Sequence, residues 1–233
     1  MKKYCSQYGQ DEFIDKVVLN KKQNGFFVDI GAHDGVSFSN TYFFETERRF
    51  DGLCIEPNPK VFELLQKNRQ CDTLNACIGS AEERVKFLAI EGYSEMLSGI
   101  IDHYHPKHLE RIDHYIAEHG GAKTEIEVLS IPLQNIALLK KREITYMSID
   151  TEGNEYTILQ SINFSEMNIS CLSVENNYGD TNIENIMTQN GFIKVYRLGD
   201  DDIYLKKIYY SFSFRIRRRI FLYLSKFKSY LSK

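Results

Sequence analysis

The chain alternates short apolar runs with amphipathic segments. Residues 26–30, apolar except for Asp29, and the apolar run 53–55 show the pattern of buried strands. Ahead of them, Phe13, Ile14, Val17 and Val18 share one face of a helix predicted over residues 11–21. Beyond them, Val61, Phe62, Leu64 and Leu65 predict a helix over residues 59–68, with Pro59 suited to its first turn. Residues 73–78, 84–89, 144–149 and 170–174 read as further strands. Tyr156, Ile158, Leu159 and Ile162 form a helical stripe between the last two. Residues 191–197 and 203–207 flank Leu198-Gly199-Asp200-Asp201-Asp202, a turn-rich spacer that predicts a hairpin. Strands alternating with helices predict an α/β fold, with a mostly parallel sheet closed by an antiparallel pair.

Two stretches depart from this alternation. Residues 91–123 hold five of the six histidines, and an insertion at 91–125 is expected to act as a lid or substrate-binding segment. His103, His105 and His108 with Asp102 match no familiar zinc spacing, so a polar helix turning Tyr and Ile inward is the simpler reading. After Lys207, residues Ile216, Ile220, Tyr223, Leu224, Phe227 and Leu231 recur at steps of three and four. Arg215, Arg217, Arg218, Arg219, Lys226 and Lys228 fill much of the remainder. Residues 208–233 therefore read as a basic amphipathic helix suited to an anionic membrane surface, the alternative being packing on the acidic body or a partner subunit.

Length and charge narrow the class. A chain of 233 residues suits one domain, placed at 1–207, followed by the basic helix. The net charge of −3 is uneven: residues 203–233 carry nine Lys or Arg and no acid, leaving 20 basic against 32 acidic residues elsewhere. An acidic body argues against a nucleic-acid binder. The five cysteines form no C-x-x-C pair, and Cys54 and Cys171 begin apolar runs as small core residues. With no apolar leader and no run of ~20 apolar residues, the expectation is a reduced cytoplasmic protein, peripheral on the inner face of the membrane.

The chemistry concentrates at Val28-Asp29-Ile30-Gly31-Ala32-His33-Asp34-Gly35 and at Cys54-Ile55-Glu56-Pro57-Asn58. A strand entering a glycine turn that opens a helix, with an acid ending the next strand, outlines a nucleotide cleft. The spacing Gly31-x-x-x-Gly35 is not the G-x-G-x-x-G of a dinucleotide site. Asp29 and Asp34 would repel a pyrophosphate, and the turn contains no Lys or Arg to compensate. A cationic ligand such as S-adenosylmethionine suits the acids better, with Glu56 accepting both ribose hydroxyls. The bland alternative is a strand-to-helix turn that binds nothing.

These segments resemble a known family. Ser6-Gln7-Tyr8-Gly9-Gln10-Asp11, the run 28–35, residues 54–59, Ala76-Cys77-Ile78-Gly79 and Ser148-Ile149-Asp150-Thr151-Glu152-Gly153-Asn154-Glu155 look like FkbM-type methyltransferases over about residues 4–207. That family comprises S-adenosylmethionine-dependent O-methyltransferases, many acting on sugars or secondary metabolites. The resemblance implies a Rossmann-like class I methyltransferase fold with seven strands and helices on both faces. It implies that Asp29, Gly31, Ala32 and Gly35 line the methionine part of the cofactor, with His33 facing it or capping the turn. Glu56 would hold the ribose beside Pro57 and Asn58, Ala76 and Cys77 would border the adenine, and Gln10 would fold over the cofactor.

Methyl transfer from a sulfonium needs alignment and removal of the alcohol proton. Asp150 and Glu152 follow a central strand and are the candidate catalytic residues, Asp150 also lying against the cofactor. Glu155, Glu175 and Asn176 are candidate substrate contacts, although Glu155 equally fits the acidic first turn of a helix. Asp150, Glu152 and Glu175 are the candidate ligands should Mg²⁺ assist. The acceptor implied is a sugar hydroxyl of a surface glycan or its precursor. Two competitors are a nicotinamide oxidoreductase, disfavoured by the missing glycine motif, and an inactive methyltransferase-like adaptor docked to membranes through the basic helix.

Overall fold

The computed structural model describes residues 4–231, with side chains described as far as Ser225. Lys226, Phe227, Lys228 and Leu231 of the expected amphipathic pattern lie outside the described side chains. The strands are β1 Phe26–Ile30, β2 Asp51–Ile55, β3 Asp72–Leu74, β4 Cys77–Ile78, β5 Glu83–Glu91, β6 Gly99–Ile100, β7 Ala122–Ile131, β8 Glu143–Ile144, β9 Tyr146–Ile149, β10 Asn168–Ile169, β11 Cys171–Glu175, β12 Phe192–Leu198 and β13 Asp201–Lys206. The α-helices are α1 Gln10–Phe13, α2 Tyr42–Arg48, α3 Pro59–Asn68, α4 Pro106–His119, α5 Glu155–Ser161, α6 Thr181–Gln189 and α7 Phe212–Leu231.

Seven strands form the main sheet in the order β12-β13-β11-β9-β1-β2-β3. It is parallel except at β13, which runs antiparallel to both neighbours. β1 is buried at every position because both faces of the sheet are covered. On one face Val28, Ile30, Met147, Ile149 and Val174 meet Ile158 and Leu159 of α5 and Ile183 and Met187 of α6. On the other, Phe27, Tyr146, Cys171 and Ile203 meet Phe43 and Phe44 of α2, Leu65 of α3 and Phe214 of α7. This is a seven-strand Rossmann-like α/β architecture, with helices on both faces. Cys54 and Cys171 are buried in β2 and β11.

Several local expectations change. The first helix is shorter: α1 passes into a wider π-type turn over Ile14–Val18, and Asn20 and Lys21 turn left-handed. The glycine turn does not open a helix directly, since α2 begins only at Tyr42. Asp34 Oδ1 accepts from Val36 N and Ser37 N, and Ser39 Oγ accepts from Thr41 N and Tyr42 N. Side chains thus take the donors that helical bonding would use and hold an irregular loop. The single strand expected over 73–78 is two: β3 ends in the main sheet, while β4 joins the four-stranded sheet β4-β7-β5-β6. Residues 91–125 contribute β6, α4 and the start of β7 to this second layer, where Phe87, Ile100 and Val128 pack together. The hairpin turn is only Gly199-Asp200, so Asp201 and Asp202 belong to β13.

Candidate active site

At the carboxyl ends of the central strands the backbone register sets acids side by side. Glu175 stands opposite Asp201 across β11 and β13, and Val174 opposite Ile149, which places Asp150 beside Glu175. Strand alternation puts Asp29, Asp150, Glu175 and Asp201 on one face of the sheet. Gly31 makes the arrangement possible. Its φ is +85°, and a Cβ there would lie 1.7 Å from the Asp150 carbonyl oxygen, so β1 and β9 approach as only glycine allows.

Two spaces open on this edge. A small chamber of about 60 Å³ is lined by Glu56, Pro57, Asn58, Ala76 and Cys77, with Phe87 and Ile100 adding apolar wall. A larger cleft of about 630 Å³ is lined by Gln10, Asp29, Ala32, Glu175 and Asp201. Gly31, His33, Met96, Asp150 and Glu152 line both spaces. Most of the residues expected around the cofactor and the reacting centre are therefore brought together. Gly35, Glu155 and Asn176 line neither space. Gly35 instead packs on α3, where a Cβ would meet Leu65 and Arg69 at 2.6 Å. Glu155 accepts from Thr151 N and Oγ1 and from Gly153 N, capping the start of α5. The Asn176 amide is held by Asp180 and Asp202.

Glu56 is fixed in the chamber wall. Its carboxylate accepts from His33 N at 3.0 Å and Asn58 N at 2.8 Å, while burial pushes its pKa up to about 7. His33, at φ 49°, also places Nε2 3.1 Å from Glu95 Oε1. Asp29 is buried but compensated: Thr41 Oγ1 donates to it at 2.6 Å, and Arg69 donates to Thr41 Oγ1 at 3.1 Å while pairing with Glu45. Burial raises the Asp29 pKa, and the Arg69 charge pulls it back.

Asp150 and Glu175 have no such relief, and Glu152 has only the Arg111 charge to offset its burial. Ligand-capable oxygens of the three lie within 4.8 Å of one another. Burial raises the pKa of Asp150, with the Glu152 charge adding to it, and burial then the Asp150 charge raise that of Glu175. Burial brings Glu152 to about 7 and Asp201 to about 6. Glu152 sits at φ 58°, a left-handed conformation costly for a residue with a side chain. Its Oε2 is 3.5 Å from Arg111 Nη2 and 3.6 Å from His108 Nδ1, both on α4. Carboxyl groups that titrate near neutrality serve proton transfer at physiological pH.

The site offers a cation and hydroxyl groups many partners and a pyrophosphate few. Six carboxylates line the cleft, and Arg111 is the one guanidinium among the described lining residues. Asp201 Oδ1 and Asn154 Oδ1 are buried on these walls and find no hydrogen-bond partner among the described residues. An adenosyl ligand carrying an ammonium and a ribose diol fits this donor and acceptor set.

Sequence reasoning missed Arg69, Arg111, Met96 and Asp201, and weighed His108 only as a metal ligand. The three consecutive acids 200–202 were a signal for Asp201, hidden by reading all three as a turn.

Fold and cleft together define a Rossmann-like α/β domain with a ligand cleft at the carboxyl ends of its strands. A family model described as the methyltransferase FkbM domain matches residues 29–194, and the chain belongs to this family. No curated protein matches the sequence. Among solved structures, an FkbM methyltransferase from Methylobacillus flagellatus is similar at 15% identity and a TM-score of 0.46, covering 78% of this chain and 43% of that one. This chain thus spans less than half the length of that protein. A precorrin-6y C5,15-methyltransferase from Geobacter metallireducens is similar at 10% identity and a TM-score of 0.43, covering 84% of each chain. A TehB-like SAM-dependent methyltransferase from Corynebacterium glutamicum is similar at 9% and 0.42, covering 86% of this chain and 88% of that one.

Proposed function

We propose that the protein transfers a methyl group from S-adenosylmethionine to a sugar hydroxyl of a surface glycan or its precursor. The observation that carries this reading is the trio Asp150, Glu152 and Glu175, gathered where the Glu56 chamber meets the cleft. S-adenosylmethionine, when bound, supplies an activated methyl group. Glu56 would hold the ribose, Ala76 and Cys77 the adenine side, and the acids of the cleft the ammonium. Asp150 or Glu152 accepts the alcohol proton at a carboxylate oxygen, a role their raised pKa values suit. Tyr8, Phe38, Tyr93 and Tyr115 line the same cleft and offer flat faces on which a sugar ring stacks.

The test is production of the demethylated cofactor and a methylated glycan, followed by mass spectrometry. Asp150→Asn should keep the fold and abolish turnover; full activity in that variant removes Asp150 from the chemistry. Cofactor binding without turnover on any acceptor would support the adaptor instead.

A divalent ion is a second reading of the trio, favoured by the 4.8 Å clustering of its oxygens. Asp150, Glu152 and Glu175 would hold Mg²⁺, whose chemistry would be to acidify the acceptor hydroxyl. Loss of activity on chelation, restored by Mg²⁺, supports it; activity indifferent to chelation leaves these residues to proton transfer alone.

A further inference from the structure

The exposed apolar surface concentrates on one element. Phe212, Ile216, Ile220, Tyr223 and Leu224 of α7 are all exposed, Ile220 at 55% and Tyr223 at 72%. At 100° per residue these positions form one stripe along the helix. The stripe is not the face that holds α7 to the body. That role falls to buried Phe214, to Phe221 edge-on to Phe13 at 5.4 Å, and to Arg217, whose Nε donates to Val17 O at 2.9 Å. Arg218 lies over the Tyr196 ring, so two of the four consecutive-turn arginines are spent on the body. Arg215 and Arg219 remain exposed along one edge of the stripe. Residues 203–233 contain no acid.

We propose that this face of α7 docks in the plane of an anionic lipid surface, with Phe212, Ile216, Ile220 and Tyr223 entering the acyl boundary and Arg215 and Arg219 meeting headgroups. An apolar stripe bordered by cations is what an interfacial helix requires. Tyr223, with exposed Tyr209 and Tyr210 just before the helix, adds rings whose polar tips suit the headgroup layer. A second copy of this chain is a poorer occupant, because an antiparallel two-fold pairing of the stripes would bring their arginine edges together with no acid on the helix to offset them. No helix among the described residues is long and apolar enough to cross a membrane, so the contact is lateral. The net acidic remainder of the chain would be repelled by the same surface, which leaves this face forward.

The experiment is co-sedimentation of the full chain with vesicles of phosphatidylglycerol and phosphatidylcholine, and with phosphatidylcholine alone, at low and high salt. Deleting the helix is avoided, since Phe214 and Phe221 belong to the core. The substitutions are Ile216→Ser with Ile220→Ser and Tyr223→Ser in one variant, and Arg215→Gln with Arg219→Gln in another. The wild type is expected to bind anionic vesicles preferentially, and the apolar variant to stay in the supernatant. The arginine variant should lose roughly 25-fold in partitioning, about fivefold per cation, and show a weaker salt dependence. A wild type that ignores anionic vesicles, or variants that bind as it does, overturn the proposal. So does a wild-type dimer that the apolar variant converts to monomer, which assigns the face to a second copy. Partitioning is read without turnover, so this outcome is independent of the methyl-transfer reading.

Discussion

Glu152→Gln is expected to stabilise the protein above neutral pH while removing its activity. Glu152 Oε2 is buried without a hydrogen-bond partner among the described residues; the Arg111 guanidinium stands at 3.5 Å and the His108 imidazole, whose pKa burial lowers, at 3.6 Å. Burial therefore lifts its pKa from 4.5 to about 7, against the pull of Arg111. The native state retains a proton that the unfolded chain releases. This group thus costs nothing well below pH 4.5; the cost grows as pH rises towards 7 and is complete above it. At about 1.4 kcal/mol per pH unit the full cost is about 3 kcal/mol, an upper limit because Asp150 and Glu175 share the same field. Glutamine keeps the shape and cannot ionise. Urea denaturation with chelator present should show wild type and variant within about 1 kcal/mol near pH 5, with the variant ahead by up to about 3 kcal/mol near pH 8. Turnover at neutral pH should fall by about 10²–10⁴ if Glu152 is the base. A stability difference of the same size at both pH values, or a variant less stable near pH 8, refutes the reasoning.

Other substitutions probe the surrounding frame. Gly31→Ala must place a methyl group against the Asp150 carbonyl at a φ of +85°, and should lower stability by at least about 2 kcal/mol in thermal or urea unfolding. Arg69→Met leaves Glu45 and Asp29 without their buried partner and should cost about 3–5 kcal/mol; a loss below about 1 kcal/mol would show that Thr41 alone suffices for Asp29. Glu56→Ala should weaken calorimetric binding of an adenosyl ligand by about 1.5–3 kcal/mol, and unchanged affinity removes Glu56 from the ribose.

What the sequence revealed follows from how local each signal is. β1 and α3 have the boundaries expected, because a fully buried strand is a near-continuous apolar run, broken in β1 only by Asp29, and Pro59 pre-sets a first helical turn. The acids 29, 56, 150, 152 and 175 were visible because each ends or follows an apolar strand, where this fold places ligands. Their electrostatic surroundings were not. Arg69 reaches Thr41 across 28 residues and lies beside a turn that contains no cation of its own. Arg111 and His108 meet Glu152 only because α4 folds over the cleft from the second sheet, a contact without periodicity in the sequence. The division of 73–78 between two sheets likewise rests on long-range pairing, with Asn75 tied to the Glu56 and Pro57 carbonyls at the break.

The central claim is that this acid-lined cleft and its side chamber hold an adenosyl methyl donor. Calorimetric titration of the full chain with S-adenosylmethionine and with its demethylated product, using NADH as the control, tests it most directly. Micromolar binding of both adenosyl ligands and none of NADH is the expected result. Silence from both adenosyl ligands, or preferential binding of NADH, would contradict the claim.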